Sequence, residues 1–253
     1  MPLHETDALI LKTYKLGEAD RIVVFLSRDR GKKRGVAKGA RRTRSRFQGA
    51  LEPLTLVHLV YFERERRELV GLNFAETLAS PLSAHNPDAF AHVGYFAELM
   101  DEWAQENDAN EPLFRLGAAV VDALARDIPL EPLARYFEYW LLRLQGVYPP
   151  LTRCQYCQGG FAGGARLALE SRVLVCGRCQ PGGRSTALSD DALTFLRALG
   201  AVAPLRLPDV PVSGAAMREV ERVHRALIAS HLEKDLRSQR VLREMRTTSA
   251  PPR

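Results

Sequence analysis

The chain has 253 residues, 46% of them apolar and 26% charged, which is enough apolar material for one large domain or two ordinary ones. No apolar run approaches the roughly 18 residues a membrane-spanning helix needs, and Met1-Pro2-Leu3-His4-Glu5 lacks the basic-then-apolar pattern of a secretory leader, so the expected compartment is the cytoplasm, with no membrane contact. The net charge of +6 is uneven: residues 1–80 hold 16 Lys and Arg against 10 Asp and Glu, leaving 20 against 20 in residues 81–253.

The first 80 residues read as β-structure. Short runs rich in Val, Ile, Leu, Tyr and Phe recur between turn residues, and no long helical period fits them. Ala8 to Tyr14 is a first run and Arg21 to Ser27 a second, and Asp29-Arg30-Gly31 predicts a tight hairpin into Lys33 to Lys38. Leu51 to Phe62 and Arg67 to Leu78 follow, joined by the charged tip Glu63-Arg64-Glu65-Arg66. Five short strands predict a small closed barrel, with the OB-fold as the natural candidate and an open sheet as the competitor.

Within this stretch, residues 28–46 hold ten basic side chains and one acid, Asp29. Such a block gains phosphate affinity by releasing counterions and needs no base-specific geometry. Arg30, Lys32, Lys33, Arg34, Lys38, Arg41, Arg42, Arg44 and Arg46 are the candidate DNA contacts, on a strand and the flexible loop expected after it. Tyr14, Phe25, Phe47, Tyr61 and Phe62 could stack bases beside them, or fill the barrel.

After Pro81 the apolar period becomes helical, which places a domain boundary near residues 79–87. A helix is expected from Asn86-Pro87-Asp88 to about Glu106. A second is capped by Asn110 with Pro112 in its first turn, and a third starts at Glu131-Pro132 and buries Leu133, Phe137, Trp140 or Leu141, and Leu144. After a loop-rich excursion over residues 150–183, a helix capped by Ser189 and one or two more between Ser213 and Met245 complete the pattern, with residues 202–212 as a Pro-rich connector and 247–253 as a frayed tail. The resulting fold class is α+β: a five-stranded OB-fold barrel over residues 1–80, then an all-helical domain over 81–253 carrying a four-cysteine zinc-binding insertion.

All four cysteines lie in that excursion, as Cys154-x2-Cys157 and Cys176-x2-Cys179 with 18 residues between the pairs. Four thiolates at this spacing predict one closed, structural zinc ion with no coordination position left for catalysis. The intervening residues carry two arginines, one glutamate and an apolar pattern suited to a hairpin rather than a groove-reading helix. No Walker loop, nucleophile elbow or His-Glu-x2-His motif occurs, the six histidines do not cluster, and Glu63, Glu65 and Glu68 read as a charged turn, so no enzyme is expected.

Three stretches resemble the RecO family of bacterial DNA repair and recombination proteins. They are Tyr14-Lys15-Leu16-Gly17-Glu18-Ala19-Asp20 followed by Val36-Ala37-Lys38-Gly39-Ala40-Arg41-Arg42; Arg135-Tyr136-Phe137-Glu138-Tyr139-Trp140 onward through Pro149-Pro150-Leu151 into Cys154; and Leu232-Glu233-Lys234-Asp235-Leu236-Arg237-Ser238-Gln239-Arg240. The resemblance implies an N-terminal OB-fold, a helical C-terminal domain and a non-catalytic mediator of recombination associated with the nucleoid. It further implies binding to single- and double-stranded DNA, annealing of complementary strands and, with the ring-forming partner RecR, loading of RecA onto DNA coated by single-stranded DNA-binding protein, with RecF and RecA as indirect partners. The zinc segment is a feature of some members of the family. The competing expectation is a zinc-dependent, sequence-specific DNA-binding regulator.

Overall fold

A computed structural model describes residues 2–63, 68–81, 88–232 and 236–248. It contains two compact units, residues 1–127 with 236–253 and residues 128–235. The first is built on five strands, β1 (Leu3–Leu16), β2 (Asp20–Ser27), β3 (Gly31–Ala37), β4 (Leu56–Phe62) and β5 (Val70–Ala79). They close in the order β1-β2-β3-β5-β4, which is the OB barrel.

Closure depends on a short parallel seam, in which only Gly35, Val36 and Ala37 of β3 face Val70, Gly71 and Leu72 of β5. Glycine is needed on both sides of it. A Cβ on Gly35 would lie 2.8 Å from Leu72 Cδ2, and one on Gly71 would lie 2.1 Å from Phe62 Cζ. β1 reaches both of its neighbours because its register shifts between Ile10 and Lys12, a bulge that lets one long strand bend around the barrel.

The barrel core consists of alternate inward residues such as Ile10, Val23, Phe25, Leu59, Tyr61 and Leu72, each almost fully buried. The segment between β3 and β4 contributes Phe47, Ala50 and Leu51 to the same core. It is also tied to β1, where the Leu54 amide donates to the Ile10 carbonyl (2.6 Å) and the Ile10 amide to Thr55 (3.0 Å). The basic loop is therefore anchored, not the free arm its composition suggests. Residues 51–55, expected as strand, belong to this plug.

Helices α1 (Ala89–Trp103) and α2 (Glu111–Ala125) pack on β1, and α6 (Arg237–Thr248) packs on α1. The carboxylate of Glu98 caps α6 by accepting from the amides of Arg237 (3.2 Å) and Ser238 (2.8 Å) and from the Ser238 hydroxyl. Asn110 caps α2, its Oδ1 accepting from the Leu113 amide at 3.0 Å. The barrel's compact unit extends to Asp127 because α1 and α2 bury their apolar faces on it. The inter-strand tip 64–67 and the expected helix start at Asn86-Pro87 lie outside the described residues, as does the tail from 249 onward.

The second unit contains α3 (Leu130–Leu144), a three-stranded antiparallel sheet of β6 (Ala165–Ala168), β7 (Val173–Cys176) and β8 (Ser185–Leu188), then α4 (Asp190–Leu199) and α5 (Gly214–Leu232). Ser189 caps α4 through the Ala192 amide. The Pro-rich connector is a 3-10 turn over Pro204–Asp209. Leu133, Phe137 and Leu141 of α3 are buried as expected, but Leu144, on the same face in the last turn, is 38% exposed.

Candidate nucleic-acid interface and metal centre

The ten cations of residues 28–46 divide into two sets. Those on the hairpin and β3 face carboxylates. Arg28 lies 3.8 Å from Asp7 and 3.6 Å from Glu111, and Arg30 lies 3.6 Å from Asp29. Lys32 donates to the Asp101 carbonyl (2.5 Å) and lies 3.3 Å from its carboxylate, Lys33 sits 2.8 Å from both Glu63 Oε1 and Asn107 Oδ1, and Arg34 reaches Glu106 at 2.8 Å. Lys32 and Lys33 are only 13% and 12% exposed, because the segment after α1 runs alongside β3 and bonds to its edge.

The second set is Lys38, Arg41, Arg42, Arg44 and Arg46, all exposed and, among the described residues, in no ion pair. The start of their loop is fastened to the β1–β2 turn: the Gly39 amide donates to Asp20 (2.7 Å), the Arg41 amide to Ala19 (2.9 Å) and the Arg41 guanidinium to Gly17 (2.9 Å). Gly39 needs its left-handed φ of 69° to make this turn. Arg46 donates to the Leu72 carbonyl at 3.4 Å and lies over the Phe47 ring. The loop thus holds five cations outward from a base buried at one end and hydrogen-bonded at the other.

Beside it runs a groove of about 560 Å³, lined by Lys38 and Arg46, by the acids Asp20 and Glu68, and by Leu16, Val36, Phe62 and residues 69–72. Of the five candidate stacking aromatics, Phe25, Phe47 and Tyr61 are buried in the core. Tyr14 is 46% exposed, with the Lys12 ammonium 5.1 Å from its ring centre. Only Phe62 lines the groove, its ring lying over Gly71.

The candidate metal centre lies in the second unit. The four Cys Sγ atoms fall within 4.8 Å of one another, and Cys157 and Cys176 Sγ are 3.7 Å apart. Zinc with bonds of about 2.3 Å requires tetrahedral sulfurs about 3.8 Å apart, so the cluster has the right size. Each pair forms a tight turn: the Gln158 amide donates to Cys154 and the Cys179 amide to Cys176. Burial acts to raise the Cys154 thiol, but the amides of Cys157, Cys176 and Tyr156 outweigh it and hold the thiol at about 6. The amides of Cys179 and Arg178 lower Cys176 in the same way. The neighbouring Cys157 sulfur, together with burial, pushes the Cys179 thiol up to about 12. Crowded thiolates of this kind are relieved by one soft divalent cation, and the donor set fits zinc.

Two family models match the chain, Recombination protein O N terminal over residues 1–81 and Recombination protein O C terminal over residues 84–240. The chain belongs to the RecO family. The "DNA repair protein RecO" of Koribacter versatilis (strain Ellin345) is 43% identical over 157 residues, 61% of this chain and 64% of that protein. The protein of the same name from Anaeromyxobacter sp. (strain K) is 32% identical over 241 residues, 94% of each chain, and that of Desulforudis audaxviator (strain MP104C) 33% identical over 254 residues, 99% of this chain and 100% of its own length.

In this RecO chain the sequence reading missed the carboxylates that occupy β3. Glu63, Asp101 and Glu106 are distant in sequence, and nothing local marks them as partners of Lys32, Lys33 and Arg34. It also missed a buried polar chain in the second unit. Tyr148 Oη lies 3.1 Å from His224 Nε2, His224 Nδ1 lies 2.9 Å from Glu138 Oε2, and Glu138 Oε1 lies 3.0 Å from Arg135. A carboxylate only accepts, so Nδ1 carries the proton and Nε2 accepts from the tyrosine hydroxyl. Burial drives the imidazole pKa down, against the pull of Glu138, which suits the neutral ring this chain of bonds requires.

Proposed function

We propose that this chain is a non-catalytic recombination mediator that binds single- and double-stranded DNA through the loop carrying Lys38, Arg41, Arg42, Arg44 and Arg46 and the groove beside it. The observation that carries the reading is the division of the basic block: five cations, in no ion pair among the described residues, face outward from an anchored loop beside a groove lined by one aromatic ring, Phe62. Phosphates dock on the rim by charge, and unstacked bases of a single strand can lie against Phe62. Arg30, Lys32, Lys33 and Arg34 act through the framework that holds β3.

Annealing needs no bond chemistry. A surface that neutralises the repulsion between two strands and keeps them close raises their effective concentration, and pairing follows. On this reading the protein works with RecR to load RecA onto DNA coated by single-stranded DNA-binding protein, and meets RecF and RecA only indirectly. One structural zinc, held by Cys154, Cys157, Cys176 and Cys179, staples the second unit. The setting is the cytoplasm, at the nucleoid; no helix among the described residues is long and apolar enough to cross a membrane.

A salt-titrated binding and annealing assay on random-sequence strands tests this. The wild type should bind and anneal with little sequence preference, and Arg41→Glu/Arg42→Glu/Arg44→Glu should lose both. Preference for one site by a factor of about 10³ would favour the regulator reading instead. Geometry speaks against that reading, because β6 and β7, not a helix, lie between the cysteine pairs.

A further inference from the structure

The zinc module has a surface that a pure staple does not need. Residues 150–184 contain five arginines, no lysine and a single acid, Glu170. A four-thiolate zinc centre carries about two net negative charges, so the module still holds a cationic excess after the metal is counted. Arg184 pairs with Glu170 at 3.6 Å and Arg166 donates to the Ser185 hydroxyl at 3.1 Å. Arg153, Arg172 and Arg178 are exposed and, among the described residues, in no ion pair.

These arginines have an aromatic companion. The two cysteine turns are Cys154-Gln155-Tyr156-Cys157 and Cys176-Gly177-Arg178-Cys179, so Tyr156 and Arg178 occupy equivalent positions in them. Tyr156 is 53% exposed and, among the described residues, its ring is in no aromatic or cation–π contact. The Arg178 guanidinium crosses toward the first turn, within 3.5 Å of where a Cβ on Gly159 would sit. The Gln155 amide bonds to the Leu174 carbonyl at 3.0 Å, and Gln155 and Arg172 together line a groove of about 550 Å³. The metal ties these side chains to rigid turns, and the module offers no helix that could enter a duplex groove.

We propose that the zinc module is a second contact for single-stranded DNA, with Tyr156 as a stacking platform and Arg153, Arg172 and Arg178 as phosphate contacts. An exposed ring on the same module as three arginines in no ion pair among the described residues suits splayed bases on a polyanion better than an acidic peptide, which supplies charge but no bases to stack. The inference rests on the DNA-binding reading above and extends it: a protein that anneals strands gains from holding two stretches at once, and the barrel loop supplies one.

The test uses the full zinc-loaded chain and a mixed-sequence 30-mer carrying 5-iododeoxyuridine. Illumination should crosslink Tyr156. The variant Arg153→Gln/Tyr156→Ser/Arg172→Gln/Arg178→Gln should keep one zinc per chain and wild-type melting while its salt slope on the 30-mer falls by about 2, from three contacts at about 0.7 each. Annealing should slow by about tenfold, the scale of one lost stacking contact. If the quadruple variant loses zinc, the single variants Tyr156→Ser and Tyr156→Phe decide, since Phe should restore binding and Ser should not. Crosslinks confined to the barrel loop, or a variant that anneals like wild type, would overturn the proposal, as would a loss of binding to an acidic peptide but not to DNA. A wild type that binds no DNA would defeat the broader reading instead.

Discussion

Replacing Arg41, Arg42 and Arg44 with alanine separates the outward cations from those engaged on β3. Each phosphate neutralised on a single strand contributes about 0.7 to the slope of log K against log salt, so the triple variant should flatten the slope by about 2. Extrapolated from 1 M to 0.1 M salt, that is about two decades, so binding at 0.1 M should weaken about 100-fold while the curves converge near 1 M. If only the five loop cations contact an octamer the wild-type slope should be about −3.5, against about −5, the limit set by its seven phosphates, if all nine candidate cations did. Fluorescence anisotropy on a labelled octamer at five salt concentrations measures this, with Lys32→Ala/Lys33→Ala as the companion variant. The companion should leave the slope unchanged at temperatures where it is folded. A slope loss in the companion as large as in the triple variant would refute the division of the block, as would a triple variant whose slope moves by less than about 0.5.

Lys33→Ala alone should lower stability by about 1–2 kcal/mol, a Tm drop of a few degrees, because it removes a charged hydrogen bond between β3 and Glu63. The hydrogen bond from Lys33 holds the Glu63 carboxyl below its ordinary value of 4.5, so this contribution is complete above that pH and lost as pH falls through the folded value; wild-type and variant melting curves should converge in acid. Phe62→Ala should weaken single-strand binding by roughly 5- to 100-fold, one stacking contact, and leave duplex binding nearly unchanged in the same anisotropy assay. His224 has a folded pKa below 6.5, so at lower pH the unfolded chain binds the proton first; stability of the second unit should fall as pH drops below 6.5, by at most about 1.4 kcal/mol per pH unit, and hydrogen exchange should show that dependence lost in His224→Gln. A strong chelator should release one zinc per chain and unfold residues 150–188 by hydrogen exchange, with octamer binding at the barrel loop retained.

The barrel was legible because its strands alternate inward and outward with turn residues at close intervals, and the helices because Asn110 and Ser189 announce their caps. The four-cysteine cluster was legible because sequence spacing alone brings each cysteine pair together. The basic block was legible as a concentration of charge but not as a site, because a cation's availability depends on which carboxylates the fold delivers. Glu106 arrives beside Arg34 through the segment after α1, and Glu63 beside Lys33 through the end of β4. The stacking aromatics were undecidable for a related reason. Phe62 follows Tyr61 by one residue, and strand alternation turns Tyr61 into the core and Phe62 toward the groove, where Gly71 leaves room for its ring.

The choice between lysine and arginine follows the same division. Lys32 and Lys33, compact point charges, are the cations enclosed among carboxylate, carbonyl and amide oxygens, where three freely directed N–H groups can be satisfied at short range. Of the five loop cations in no ion pair among the described residues four are arginine, as are all three such cations of the four-cysteine module. A guanidinium is weakly hydrated, forks onto a phosphate and stacks on a base, so it loses less on leaving water and retains a contact when the strand slides. Anchoring adds to this. A loop already fixed by Phe47, Leu54 and the Gly39–Asp20 bond has lost its backbone freedom during folding, so binding a strand does not have to order it again. Cutting that anchor should therefore weaken DNA binding without changing the number of phosphates contacted: Asp20→Ala, which loses the acceptor, should bind more weakly than Asp20→Asn, which loses the same groove charge but keeps an acceptor for the Gly39 amide, and the two salt slopes should agree.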